Sequence, residues 1–405
     1  MSTRRLYYDD AYLQNFEARV LSCEPASPVM SESGPRAAWE ILLDQSAFYP
    51  SSGGQPFDLG MIGEARILDV RDDGEQIVHV VDRELNTGEV AARIDWARRF
   101  DHMQQHTGQH VLSAVFQQRY GLPTVSFHLG SAINTIDLRG MEPTPDVLLG
   151  AQHAANTVIF GDRPVTMRYG TAEQLAKLGV RKEVDRQGIL RAIEIEGADL
   201  QPCGGTHVRS TGQIGMILVR RCAKIRQDWR VEFVCGGRAE GWATADYRLL
   251  RSIADGFGCA PEEIPAAIEK SNAERDAHFK SLRAALQELA EARAKLLVGG
   301  SEAGPNGVRV IAELLRQDPA DLLLPLATEI VKAEKAIALL IHEGSGQLVL
   351  AQHRSASKDL AGILKQILAQ VPGKGGGTKD FVRAKLADAS QAAAAIETAK
   401  QLLMA

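Results

Sequence analysis

The period of apolar positions changes along the chain, and the changes mark its parts. Up to about residue 90, short apolar or alternating runs recur at 17–22, 39–43, 64–70 and 76–81, separated by clusters such as Ser33-Gly34-Pro35 and Asp72-Asp73-Gly74. Alternation between turn signals predicts strands, and strands at this spacing predict a small barrel or sandwich. From Asp95 the period becomes helical. Over residues 96–120, Val111, Leu112, Val115 and Phe116 share a face, and Gly121-Leu122-Pro123 stops the helix. Strand-like runs at 131–138, 164–169, 190–196, 216–225 and 231–234 then enclose helical stretches at 144–160 and 171–178.

Residues 245–298 read as one long helical stretch. Phe279, Leu282, Leu286, Leu289 and Leu296 recur at three- and four-residue steps, interrupted by Arg293. Such a stripe is either a face packed on its own chain or the seam of a homodimer through the helical or C-terminal region. The run from Gly299 to Pro305 reads as a linker. Beyond it, strand patterns at 308–314, 336–341 and 347–351 lie among helices. The expected fold class is α+β in four segments. These are a small β-barrel over 1–92, an α+β metal-binding domain over 93–245, a helical linker over 246–300 and an α/β domain over 301–405. There is no internal repeat.

Length and composition agree with this division. A chain of 405 residues exceeds what one core usually serves, and 45% apolar with 24% charged residues is ordinary globular composition. No apolar run is long enough to span a membrane, and no apolar stretch follows the N-terminal Arg4-Arg5, so a cytoplasmic protein is expected. The five cysteines, Cys23, Cys203, Cys222, Cys235 and Cys259, are odd in number and widely spread. They read as reduced thiols, with Cys222 and Cys235 as core residues bracketing a hairpin. A net charge of −5 argues against indiscriminate nucleic-acid binding, though a selective binder needs only local basic clusters.

The chemistry concentrates at two short motifs. In His106-Thr-Gly-Gln-His110, two imidazoles four apart on a helix project from one face, a spacing that suits chelation. The zincin motif requires Glu directly after the first His; Thr107 stands there, which excludes that metalloprotease. In Cys203-Gly-Gly-Thr-His207, the glycines let a thiolate and an imidazole wrap around one ion. One sulfur and three nitrogens in tetrahedral array suit zinc best, one ion per chain. Four protein ligands are the usual structural set, whereas catalytic zinc keeps an open position, so the residues alone leave both roles open.

These motifs resemble the editing domain of alanyl-tRNA synthetase and its free-standing AlaX relatives. The resemblance extends to Phe48-Tyr-Pro-Ser-Ser-Gly-Gly-Gln-Pro56 with Asp58 and Gly60, and to Ser126-Phe-His-Leu-Gly130. It continues through Asn134-Thr-Ile-Asp-Leu138, Arg230-Val-Glu-Phe233 and the glycine run at Gly373–Gly377, which is similar to a DHHA1 signature. It implies a long-form AlaX protein, with the barrel followed by a zinc editing domain and a C-terminal DHHA1-like domain. It also implies hydrolysis of mischarged tRNA(Ala), chiefly the seryl and secondarily the glycyl ester. About 90 residues precede the editing-like region, too few for a class II aminoacylation domain, so no charging activity is expected. The resemblance makes His106, His110, Cys203 and His207 the metal ligands. Ser51, Ser52, Gly53, Gly54, Gln55, His128 and Thr206 become substrate-binding residues, with Ser51 supplying the hydroxyl that reads serine. The family pattern has glycine where Ser52 stands, so Ser52 brings a Cβ into the glycine-rich loop. No general base stands out.

Two basic clusters offer tRNA contacts: Arg220, Arg221, Lys224, Arg226 and Arg230, and Lys374, Lys379, Arg383 and Lys385. Solvated faces explain them equally well. The glycine run fits neither the P-loop nor G-x-G-x-x-G, and reads as a flexible backbone loop near phosphate. Two other readings stay open: a non-catalytic tRNA-binding protein with a structural zinc, and a metallohydrolase acting on a small ester or amide.

Overall fold

The computed structural model describes residues 2–31, 34–182, 187–304 and 307–404. Ser33 of the expected turn and Pro305 of the expected linker lie outside them. The chain divides into two compact units, Met1–Ser252 and Ile253–Ala405.

After a two-residue strand at Arg4–Arg5 and a single helical turn at Leu6–Asp9, the first unit has strands β1 (Asn15–Ser31), β2 (Gly34–Leu43), β3 (Gly60–Ile62), β4 (Ala65–Asp73), β5 (Gln76–Val81) and β6 (Gly88–Ile94). They close into a barrel in the order β1-β2-β5-β4-β3-β6. Alternation drives the closure: Ile41, Leu43, Ile62, Ile67, Val70, Ile77 and Val81 point inward and are wholly buried, while intervening residues face out. The loop between β2 and β3 carries the glycine-rich motif. A buried ion pair pins it: Arg99 Nε donates to both Asp58 oxygens at 3.0 Å, Tyr49 N–H donates to Asp58, and Arg99 also reaches the Ala47 and Ala11 carbonyls.

Helix α1 (Trp96–Tyr120) follows, matching the expected bounds. The Asp95 side chain caps it by accepting from Arg98 N, and Gly121 ends it at φ 65°, a left-handed conformation that glycine adopts without strain. Every residue from Gln105 to Phe116 on it is buried. Burial on all sides follows from its neighbours. Strands β7 (Thr124–Leu129) and β8 (Asn134–Leu138), helix α2 (Pro145–Phe160), strand β9 (Val165–Gly170), helix α3 (Ala172–Lys177), and strands β10 (Leu190–Ile195), β11 (Asp199–Pro202), β12 (Ile217–Ile225) and β13 (Asp228–Cys235) surround it. Two sheets result, β12-β13-β8-β7 and β9-β10-β11. Helix α4 (Gly236–Phe257) follows β13.

The second unit contains helix α5 (Ile264–Gly299), strand β14 (Arg309–Leu315), helix α6 (Leu323–Ile330), strands β15 (Ala336–His342) and β16 (Gln347–Gln352), helix α7 (Leu360–Gln370), strands β17 (Gly373–Gly377) and β18 (Phe381–Leu386), and helix α8 (Ala392–Met404). Its sheet runs β14-β15-β16-β18-β17, with only β14 and β15 parallel. Two sequence readings need correction here. The buried seam of α5 is Leu286, Ala290 and Ala294, four apart, because alanines let α6 approach closely; Phe279, Leu282, Leu289 and Leu296 of the expected stripe stay exposed. The glycine run is a strand and not a loop. A Cβ on Gly375 or Gly377 would lie 2.3 or 2.2 Å from the carbonyl oxygen of Arg383 or Phe381, so only glycine permits this pairing. Among the described residues no helix is long and apolar enough to cross a membrane.

Candidate metal centre

The helix places His106 and His110 one turn apart, with ring centroids 5.4 Å from each other. Strand β11 delivers Cys203 just past its end, and the Gly-Gly turn brings His207 back to the same point. The ring of His207 stands 4.4 Å from that of His106 and 4.9 Å from that of His110. One ligand atom from each of His106, His110, Cys203 and His207 lies within 4.8 Å of all the others. Cys203 Sγ is 3.4 Å from His106 Nε2 and 3.3 Å from His207 Nε2.

Each imidazole is held through its other nitrogen. Gln55 Oε1 accepts from His106 Nδ1 at 2.9 Å and from Thr206 N–H at 3.1 Å, while Gln55 Nε2 donates to Thr206 Oγ1 at 2.8 Å. Asp199 Oδ2 accepts from His110 Nδ1 at 3.0 Å. Thr107 gives its hydroxyl proton to the Met103 carbonyl at 2.8 Å, so its oxygen accepts from His207 Nδ1 at 3.1 Å. With Nδ1 as the donor, each ring in its neutral form has the Nε2 lone pair free, and the three Nε2 atoms converge on one thiol. This donor set fits a borderline-soft divalent cation such as zinc, with its outer hydrogen bonds already formed.

The electrostatics agree with that donor set at Cys203 and His207, whereas His110 would have to give up a proton to a bound cation. Burial pushes the Cys203 thiol up, but the imidazoles of His106 and His207 outweigh it and hold the group well below the ordinary thiol range. Burial lowers His207 to about 3, so it stays neutral, the form that ligates. Burial also acts on His110, yet the bonds to Asp199 and Cys203 win and raise it to about 9. Asp199 is held below its usual value against burial by His110 and Arg181.

Three glycines in two turns are fixed by contact or by backbone angle. A Cβ on Gly205 would lie 2.2 Å from His106 Cε1 and 2.9 Å from Gln55 Oε1, so the turn can press against the ligands only as glycine. In the glycine-rich loop, Ser52 and Gln55 exchange backbone bonds of 3.1 and 2.9 Å around Gly53 at φ 53° and Gly54 at φ 82°. That is a two-residue turn with both central residues left-handed. Ser52 occupies the flanking position, where no positive φ is needed, so its Cβ is accommodated.

A cleft of about 780 Å³ opens onto the centre, lined by Tyr8, Tyr49, Ser52, Gly53, Gly54, Phe127, His106, His110, Cys203 and Gly204, among others. Several expected substrate residues stand elsewhere. Gln55 and Thr206 are buried and engaged with each other and with His106. Ser51 and His128 are exposed and do not line the cleft, whereas the neighbours Ser52 and Phe127 do. Sequence reading missed Asp199, Arg181 and Arg191. Arg191 Nη1 donates to the carbonyls of Cys203 at 2.7 Å and Gly205 at 3.0 Å, fixing the metal loop, and its guanidinium lies 5.5 Å from the Tyr8 ring centroid. The periodicity of β11 carried the signal for Asp199: residues 199, 201 and 203 share a face.

The basic clusters divide sharply. Arg220 is paired with Asp246 and stacked on Trp242, and Arg230 makes bonds of 2.7 and 2.9 Å to Asp137. Arg221, Lys224 and Arg226 are exposed on or beside the same hairpin. In the second unit, Lys374 stands in register with Lys385, and Arg383 faces Gly376; Lys379 is exposed in the turn between β17 and β18.

Comparison with known proteins follows the same lines. Residues 190–230 match the family model of the threonyl and alanyl tRNA synthetase second additional domain, and residues 2–98 match that of class II (A) tRNA synthetases. An alanyl-tRNA editing protein, AlaX-L of Pyrococcus horikoshii, is 30% identical over 401 residues, covering 94% of each chain. The mouse alanyl-tRNA editing protein Aarsd1 is 28% identical over 400 residues, covering 95% of each. An alanine–tRNA ligase of Pyrococcus abyssi is 32% identical over 424 residues, covering 99% of this chain and 44% of the ligase, so the chain spans under half of that enzyme's length. This chain belongs to the long-form AlaX family of alanyl-tRNA editing proteins.

Proposed function

We propose that this protein is a trans-editing hydrolase that removes serine, and secondarily glycine, from mischarged tRNA(Ala) at a zinc-containing site, without charging tRNA and without ATP. The observation that carries the reading is the cleft: it opens directly on His106, His110 and Cys203. A purely structural zinc needs no such access. The count of four protein ligands favours the alternative, a non-catalytic tRNA-binding protein, because structural sites are usually closed. A cleft large enough for an aminoacyl-nucleoside end, with the ligands on its wall, outweighs that count.

In this reading His106, His110, Cys203 and His207 hold the ion, with Gln55, Asp199 and Thr107 fixing the three rings. A bound Zn²⁺ supplies a Lewis acid that polarises an ester carbonyl or activates a water. The wall at Ser52, Gly53 and Gly54 receives the aminoacyl end, with Ser52 offering the hydroxyl that pairs with the serine side chain. A site whose polar groups must pair with a substrate hydroxyl rejects the analogue lacking it by up to about 10⁴-fold, which protects correctly charged alanine. Segments 1–92 and 93–245 together form the editing part. Segment 246–300 serves as helical linker, and 301–405 acts as a DHHA1-like tRNA-binding domain. Lys374, Lys379 and the exposed Arg221 and Lys224 contact phosphates.

The test is release of amino acid from seryl-, glycyl- and alanyl-tRNA(Ala). Serine is released fastest, glycine more slowly, and alanine at the uncatalysed rate. Serine release no faster than without protein overturns the reading in favour of the binding protein.

A further inference from the structure

Of the three imidazoles at the centre, one is anchored by a charge. Strand β11 places Asp199 four residues before Cys203, on the same face by its two-residue period. The strand and the residue just past its end thus supply the support of one proposed ligand and another ligand. The Asp199 side chain is fully buried. Its Oδ2 takes the His110 Nδ1 proton at 3.0 Å, and Arg181 Nε donates to Oδ1 at 2.8 Å. The guanidinium is itself only 9% exposed. Backbone bonds place it: Arg181 N–H donates to the Leu200 carbonyl at 2.9 Å, and Gln117 of α1 donates to the Arg181 carbonyl at 3.3 Å. Arg181 is therefore tied both to the strand bearing Asp199 and to the helix bearing His110.

A carboxylate buried this deeply persists as an anion only beside a cation, so Asp199 depends on Arg181. Gln55 and Thr107 present neutral oxygens to the other two rings. Only Asp199 adds negative charge, which both orients an imidazole and strengthens it as a donor.

We propose that Asp199 and Arg181 form a positioning pair for the metal ligand His110, with Asp199 acting on the ring and Arg181 acting through Asp199. The inference rests on reading the four residues as a metal centre, and is independent of which ester is cleaved. In this arrangement the pair sets how tightly the ion is held; Asp199 stays behind the ring, while Arg181 also reaches the cleft wall, so metal affinity rather than activity is the readout.

The test is Zn²⁺ affinity by chelator competition, with thermal unfolding of the metal-free proteins alongside. Asp199→Asn keeps the volume and removes the charge; it binds Zn²⁺ about 10–100-fold more weakly. The double variant Asp199→Asn/Arg181→Gln binds no more weakly than Asp199→Asn alone, because Arg181 has no route except Asp199. Glu194→Gln, a carboxylate on the neighbouring strand outside the centre, leaves affinity unchanged. Zn²⁺ affinity of Asp199→Asn within about threefold of the parent, at an unchanged metal-free melting temperature, overturns the proposal. If Asp199→Asn does not fold, Arg181→Lys decides: a several-fold loss upholds the pair, and parental affinity overturns it. A parent that binds no Zn²⁺ removes the metal centre itself. A parent that binds Zn²⁺ but releases no serine leaves this inference standing while the proposed function falls.

Discussion

Gln55 and His106 meet at 2.9 Å across 51 positions of sequence, joining the glycine-rich loop of the barrel to the helix that carries His106 and His110. The same amide oxygen accepts from Thr206 N–H, so one side chain ties the loop, the helix and the Cys-Gly-Gly-Thr-His turn together. Gln55→Leu removes an acceptor from two buried donors. We expect about 1–3 kcal/mol of lost stability and a Zn²⁺ affinity about 10–100-fold lower, read by thermal unfolding and chelator competition. Parental values for both contradict the tie.

Gly205 admits no side chain. A methyl group there meets His106 Cε1 at 2.2 Å and must displace the ring or the turn. Gly205→Ala should therefore lose stoichiometric metal while keeping the overall secondary structure by circular dichroism. One bound ion per chain in Gly205→Ala is the contrary result.

His79 gives the barrel an acid sensitivity. It is buried at 0% exposure, bonded to Ser46 Oγ at 2.7 Å and to the Ile41 carbonyl, and burial lowers it to about 4. A folded value below the unfolded 6.5 means the unfolded chain takes the proton first. Stability is then complete above pH 6.5 and is lost as pH falls towards 4, by as much as about 3 kcal/mol from this residue. His79→Gln flattens the fall in melting temperature over that window. An unchanged slope refutes the assignment.

On the β12–β13 hairpin, charge alone does not identify a contact. Arg230 is committed to Asp137, whereas Arg221 and Lys224 are exposed. Arg221→Ala and Lys224→Ala should each weaken tRNA binding and lower the salt slope by about one unit, measured by titration at several ionic strengths. Arg230→Ala acts instead on stability, by freeing Asp137. An unchanged salt slope in both exposed variants removes the hairpin from the tRNA surface.

Much of this arrangement was legible beforehand, and what was missed has a physical pattern. Local periodicity and capping located the helix bearing His106 and His110, because its Asp95 cap and Gly121 stop are local signals. The cluster of His106, His110, Cys203 and His207 was legible because its spacings, four on a helix and four across a Gly-Gly turn, are themselves local. Arg181 and Arg191 were not, since each acts through contacts that no spacing encodes, and Asp199 showed only as a position on the same face as Cys203, with nothing local to name His110 as its partner. Gln55 was found for a related reason and given the wrong neighbours. Its place in a glycine-rich motif suggested substrate, whereas burial turns it inward to His106 and Thr206. The α5 stripe failed differently. Leucine periodicity alone does not reveal that alanines at 290 and 294 provide the closer approach.

The most direct measurement is serine release from seryl-tRNA(Ala) by the full chain, before stripping with a chelator, after stripping, and after adding back one equivalent of Zn²⁺. The account predicts that release is lost on stripping and restored by that single equivalent, and that Cys203→Ala shows no restoration. Undiminished serine release by the stripped protein contradicts it.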